Sequence, residues 1–125
     1  MTSSAPLAID GCSLSLADVH AVAVGRRPVT VAAAARTRML ATRAVVAGIV
    51  DRHDVVYGVT TGFGKLSDIA IPPDKLAQLQ VNLVRSHAAG VGPALPEREV
   101  RAMMLLRANV IAKGFSGARP ELPEL

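Results

Sequence analysis

Read for apolar rhythm, the 125-residue chain is first organised at Leu7-Ala8-Ile9-Asp10-Gly11, where alternation ends in a glycine and predicts one short strand. Ser13 to Ser15 then offer hydroxyls for the first turn of a helix that the pattern carries to about Val24, with Gly25 and Pro28 ending it. From there, Val31, Ala35, Met39, Val46 and Ile49 or Val50 recur at helical spacing and predict a long alanine-rich helix from Val31 to about residue 50. The stretch from Tyr57 to Pro73 breaks the rhythm, with Gly58, Gly62 and Gly64 set among Thr60, Thr61, Lys65, Ser67 and Asp68. Leu76, Leu79 and Leu83 restore an i, i+3, i+7 stripe, and Gln78, Asn82 and Ser86 form a separate polar row. His87, four residues after Leu83, is expected on the buried side of that helix.

Ala88 to Pro96 reads as a Gly/Pro connection. Pro96 with Glu97 and Glu99 predicts the next helix start, Val100, Met103, Met104 and Ile111 its apolar positions, and Lys113-Gly114 its end. Residues 115–125 restart a pattern, and no closing element is predicted there. The expectation is a mainly α chain with a small irregular or short-strand N-terminus and one Gly-rich loop, forming a single segment over 1–125 with no separate second domain. Residues 1–6 lack the basic and apolar regions of a secretory signal and read as a flexible lead.

Composition narrows the chemistry. Apolar residues make up 50% of the chain, but 21 of them are Ala, so large core side chains are scarce. The aromatic residues are Tyr57, Phe63 and Phe115 alone, which argues against stacked-base binding or an aromatic cage. The net charge of +4 is spread along the chain without a basic stripe, so a nucleic-acid surface is not expected. The longest run of apolar residues or Gly, Ala44 to Val50, is far short of a membrane span. A single Cys12 excludes an intrachain disulfide and fits a reducing, cytoplasmic setting. Three scattered histidines, His20, His53 and His87, give no metal-ligand spacing, so no metal site is expected.

Gly62-Phe63-Gly64-Lys65 fails as a phosphate loop, because its glycines are too close and Leu66 follows the lysine. The dinucleotide-binding spacing also fails. What remains is Tyr57 followed by glycines and hydroxyls, a loop whose backbone is free to approach a ligand or to move. Residue chemistry alone favours a structural turn with Tyr57 as a half-buried anchor, and His87 as a packing residue.

Three segments together change that weighting. Tyr57-Gly58-Val59-Thr60-Thr61-Gly62-Phe63-Gly64, the run Asn82 to Gly92, and Gly114-Phe115-Ser116-Gly117-Ala118-Arg119-Pro120 resemble, in order and spacing, the N-terminal part of the aromatic amino acid ammonia-lyases. The resemblance covers about Leu7 onward and is strong from Tyr57. It implies a helical homo-oligomer that eliminates ammonia with an electrophilic methylidene-imidazolone group made from an internal Ala-Ser-Gly. It implies Tyr57 as the base that takes the β-proton, and Thr60, Thr61, Gly62, Phe63 and Gly64 as a lid over the substrate. A phenol of ordinary pKa, about 10, is a poor base at neutral pH, so that role needs nearby positive charge or donors.

The residue pair in the helix that carries the Asn82 run tracks substrate in this family. Members acting on histidine resemble Ser-His, those on tyrosine His-Leu and those on phenylalanine Phe-Leu; this chain has Ser86-His87. The resemblance therefore implies His87 as the substrate-ring contact with Ser86 beside it, and conversion of L-histidine to urocanate in histidine catabolism. Asn82 is assigned a structural hydrogen bond. Arg85 before Ser86 also resembles the tyrosine aminomutases, the alternative within the family. A non-catalytic helical interaction fragment is the alternative outside it. Residues 1–125 contain no Ala-Ser-Gly; the one Ser-Gly, Ser116-Gly117, follows Phe115 and belongs to a different family motif. The expectation is an N-terminal segment that is inactive alone, with an amino acid as ligand and a second copy or a C-terminal portion as partner, and with neither nucleic acid nor membrane involved.

Overall fold

The computed structural model describes residues 5–67 and 69–125. Most of the flexible lead expected over residues 1–6, and Asp68 of the loop, lie outside the described residues. In chain order the elements are β1 (Leu7–Ile9), α1 (Leu16–Ala23), β2 (Val29–Val31), α2 (Ala33–Asp51), α3 (Leu76–His87), α4 (Glu97–Ala112) and α5 (Glu121–Glu124). They form two compact units, the first from Met1–Ala44 with Ala94–Leu125 and the second from Val45–Pro93.

In the first unit β1 and β2 pair in parallel, Leu7 with Val29, Ala8 with Thr30 and Ile9 with Val31, and α1 forms the connection between them. The ladder is extended at both ends, where Leu7 N donates to Pro28 O (2.8 Å) and Ala32 N to Ile9 O (2.9 Å). Here the structure corrects the sequence reading: Val31 belongs to a strand, and the long helix starts at Ala33. Three β-branched residues, Val29, Thr30 and Val31, directly after a proline suit a half-buried strand better than a helical first turn.

The core of this unit joins Ile9, Val22, Ala35, Leu105 and Ala112, with Leu7, Leu14, Val19, Val29, Val31, Ala32 and Ala108 packed around them. On α4 the inward stripe is Arg101, Leu105, Ala108 and Ala112, spaced i, i+4, i+7, i+11. The expected apolar positions are mostly outside: Val100, Met103 and Met104 are exposed, while Ile111 is half-buried. Small residues face inward because α1 packs against α4. A second correction concerns the last residues, where Pro120 is fully buried and α5 packs against α4 and β2 as a short closing element.

Two arginines hold helix ends whose carbonyls have no partner within their own helix. The Arg38 guanidinium donates to Asp10 O (2.7 Å), Ala112 O (3.4 Å) and Lys113 O (3.4 Å), tying α2 to the end of α4. Arg101 Nε donates to Val22 O (3.1 Å) at the end of α1. Gly11 N donates to Asn109 Oδ1 (3.0 Å). Gly11 (φ +89°) and Gly114 (φ +81°) stand where the chain passes closest to itself. A methyl at Gly11 would lie 2.7 Å from Lys113 N, and one at Gly114 would lie 2.8 Å from Arg38 Cβ and 3.2 Å from Met39 N.

Of the hydroxyls expected between Ser13 and Ser15 at the start of α1, that of Ser15 forms a reciprocal cap. Asp18 N donates to Ser15 Oγ (3.2 Å), and Ser15 donates through its N (3.2 Å) and Oγ (2.6 Å) to Asp18 Oδ2. Those bonds, the Ser15 hydroxyl first, hold the Asp18 carboxyl below the usual carboxylate range. Asp10 is lowered in the same way by the N–H groups of Cys12 and Ser13. Because both values lie below those of the unfolded chain, this stabilisation is complete above about pH 4 and is lost as pH falls through the lowered values. Ser15→Ala is expected to destabilise the chain by about 1 kcal/mol in urea titrations at neutral pH. The difference between the two proteins should shrink on acidification; a constant difference down to about pH 2 would show that the cap does not act through Asp18.

Candidate functional site

The second unit holds all the residues that carry chemistry by resemblance, apart from the Gly114 motif. After α2 the chain turns through His53, a left-handed residue (φ +58°), and His53 N and Asp54 N donate to Val50 O and Ile49 O. Val59 N (3.1 Å) and Thr60 N (3.0 Å) both donate to Val56 O, closing a tight turn with Tyr57 and Gly58 at its tip. The hydroxyl of Thr60 accepts from Val56 N (2.9 Å) and donates to Asp54 O. That of Thr61 accepts from Gly58 N (3.3 Å) and donates to Gly62 O (2.9 Å). The return leg is antiparallel, with Thr61 opposite Ala70, Gly62 N donating to Ile69 O (3.2 Å) and Ile71 N to Thr60 O (2.9 Å).

This bonding divides the expected lid into a frame and a tip. Thr60 and Thr61 are 7% and 1% exposed and Gly62 is buried, with both hydroxyls committed to the loop's own backbone. Phe63 is half-buried and Gly64 exposed. Tyr57 is 64% exposed, so it is not the half-buried anchor that residue chemistry favoured. Its ring meets Phe63 edge to face, with centroids 6.2 Å apart and planes at 72°. Its hydroxyl makes no hydrogen bond among the described residues. A cavity of about 280 Å³, lined by Val50, His53, Val55, Thr60, Ile71 and Leu76 among others, lies behind the frame.

Pro72 and a single 3₁₀ turn at Pro73–Lys75 lead into α3. Leu76, Leu79 and Leu83 are half-buried on one face, and Gln78 Nε2 donates to Asn82 Oδ1 (2.8 Å) along the polar row, the structural bond expected for Asn82. His87 is exposed, a correction to its expected burial. Leu83 is the last half-buried residue of α3, and positions 84–87 are all exposed. The Ser86 hydroxyl donates to Leu83 O (2.8 Å), and His87 Nδ1 lies 2.9 Å from Leu83 O and 3.0 Å from Ser86 Oγ. Sequence reasoning missed the Leu83 carbonyl, for which a position four residues before a histidine was the sole signal. No hydrogen bond joins Tyr57 to Ser86 or His87 among the described residues.

Ser116-Gly117 lies in the first unit, with Ser116 Oγ accepting from Ala118 N (3.4 Å). Among the described residues no group of acidic, histidine or cysteine side chains is arranged to hold a metal, and no helix is long and apolar enough to cross a membrane.

Known proteins match this chain over most of its length. A histidine ammonia-lyase of Bacillus velezensis is 48% identical over 114 residues, covering 91% of this chain and 22% of the relative. A tyrosine aminomutase structure from Streptomyces globisporus superposes with a TM-score of 0.89 at 40% identity, over 96% of this chain and 23% of that one. A histidine ammonia-lyase structure from Trypanosoma cruzi gives 0.84 at 39% identity, over 94% and 22%. The chain thus spans under a quarter of the length of these relatives. The family of aromatic amino acid lyases matches residues 14–125, and the chain belongs to that family.

Proposed function

We propose that the polypeptide containing these residues eliminates ammonia from L-histidine to give urocanate. The observation that carries this reading is the pairing, within one compact unit, of an exposed phenol on a hydroxyl-braced turn with an exposed Ser-His pair ending α3. Identity of 48% to a histidine ammonia-lyase supports the substrate. In this reading Tyr57 takes the β-proton at its hydroxyl, His87 meets the substrate ring, and Phe63 and Gly64 cover the site from the frame made by Thr60, Thr61 and Gly62. Excluding water there strengthens every polar contact to the substrate.

The methylidene-imidazolone group of the family supplies an electrophile that makes ammonia a better leaving group. Residues 1–125 do not fit as its source: Ser116-Gly117 follows Phe115 instead of Ala, and the Ser116 oxygen is bonded within its own turn. This stretch contributes base, ring contact and cover, and none of the group's atoms. A partner surface is part of the proposal. Met103, Met104 and Val110 are 59%, 63% and 53% exposed on α4, an apolar face suited to a second copy or to the C-terminal portion of the enzyme.

Complementation tests the reading. Residues 1–125 alone are expected to give no urocanate absorbance with histidine; addition of a C-terminal portion carrying Ala-Ser-Gly is expected to restore it. Turnover by residues 1–125 alone would overturn the division of labour. The 40% identity to a tyrosine aminomutase favours a second reading, which would appear as a β-amino acid product with ammonia retained. Failure of both products under complementation would leave a non-catalytic interaction fragment.

A further inference from the structure

The three close contacts at the end of α3 admit one arrangement of protons when His87 is neutral. Leu83 O is a carbonyl oxygen and only accepts. Ser86 Oγ at 2.8 Å must therefore point its single proton at that carbonyl. His87 Nδ1, 2.9 Å from the same oxygen, must carry a proton as well. The opposite tautomer, with a lone pair on Nδ1, would set two acceptors against each other at 2.9 Å. Turning the Ser86 proton toward Nδ1 at 3.0 Å would relieve one clash, only to leave two oxygens facing each other at 2.8 Å without a hydrogen. With the proton on Nδ1, every short contact contains a hydrogen, and Ser86 Oγ offers that N–H a second acceptor.

We infer that the Leu83 carbonyl and Ser86 hydroxyl hold neutral His87 in the Nδ1–H tautomer, which leaves Nε2 as the hydrogen-bond acceptor of the ring. Nε2 has no partner among the described residues. Ser86 then acts through His87 and is a positioning residue. Its hydroxyl is used within α3, so it is not itself a contact for the ligand. The tautomer stands on this geometry alone, while its use toward a substrate rests on the histidine reading above.

Nitrogen-15 NMR of the labelled 125-residue chain at about pH 8, above the ordinary imidazole range, reads the tautomer directly. The His87 signals are identified by their loss in His87→Gln. The expected spectrum shows a protonated Nδ1 and an unprotonated Nε2 as the major form, against the Nε2–H preference of a free histidine side chain. Ser86→Ala is expected to shift the ratio several-fold toward Nε2–H, and Ser86→Thr, which keeps the hydroxyl, to restore it. The Ser86 hydroxyl bonds only within the last turn of α3, so neither variant disturbs the fold, and unchanged amide dispersion checks this. An Nε2–H majority in the parent chain overturns the inference, and an unmoved ratio in Ser86→Ala overturns the role of Ser86. Absence of turnover in the complemented enzyme, with the tautomer as expected, would sink the histidine reading and leave this inference standing.

Discussion

Tyr57→Phe is expected to lower kcat of the complemented enzyme by about 10²- to 10⁴-fold, the range for losing a positioned general base, while leaving stability within about 0.5 kcal/mol. The two effects separate because of how the ring is held. The substitution removes only the hydroxyl, which bonds to none of the described residues, and keeps the ring that meets Phe63 edge to face. The frame beneath depends on Thr60 and Thr61 instead. Turnover with histidine and urea unfolding of the same preparations check both halves. Full retained activity would remove Tyr57 from the mechanism; a matching fall in stability would make it a structural anchor.

Gly114→Ala is expected to destabilise the first unit by about 2–5 kcal/mol, combining a positive-φ cost of about 1–2 with overpacking of about 1–3. The added methyl would meet Arg38 Cβ at 2.8 Å, the Arg38 carbonyl carbon at 3.1 Å and Met39 N at 3.2 Å. Backbone atoms of a helix cannot swing aside as a side-chain tip does, and Met39 is itself buried. Shifting α2 would also stretch the Arg38 bonds to Ala112 O and Lys113 O. Gly90→Ala is the control, since nothing lies within 4 Å of a methyl there, and it should change stability by under about 0.5 kcal/mol. Thermal melts of the two variants should differ by roughly 10 °C; equal midpoints would mean that this approach yields without penalty.

The parts of the fold legible in the sequence were those governed by local chemistry. Ser15 capping α1, Pro96 opening α4 and Lys113-Gly114 closing it depend on a few neighbouring residues. Parallel pairing was not legible, because Val29–Val31 becomes a strand through partners at Leu7–Ile9, and Val31 also fits the helical rhythm of Ala35 and Met39. The inward face of α4 was misread by taking bulk as a sign of burial, whereas Ala108 and Ala112 let α1 and α4 meet and Met103 and Met104 remain outside. At the site, Tyr57, the threonine loop and Ser86-His87 were readable as residue types in order. The division of that loop into buried frame and open tip was not, since it depends on which backbone groups the hydroxyls find. Nor was the part of Leu83, which acts through a group every residue possesses.

The bonds from Arg38 to Ala112 and from Gly11 to Asn109 span 74 and 98 residues of chain, and Val45–Pro93 forms a unit of its own between them. During synthesis from the N-terminus, the strand pair with its intervening α1 therefore emerges long before the helix that completes its core. Ile9 and Val22 stay without Leu105 until the ribosome has passed α4. The order of emergence thus sets the later-coded α4 as the step that locks the earliest-coded strand in place, and a pause in translation between Pro93 and Ala112 would prolong exposure of that strand's apolar edge.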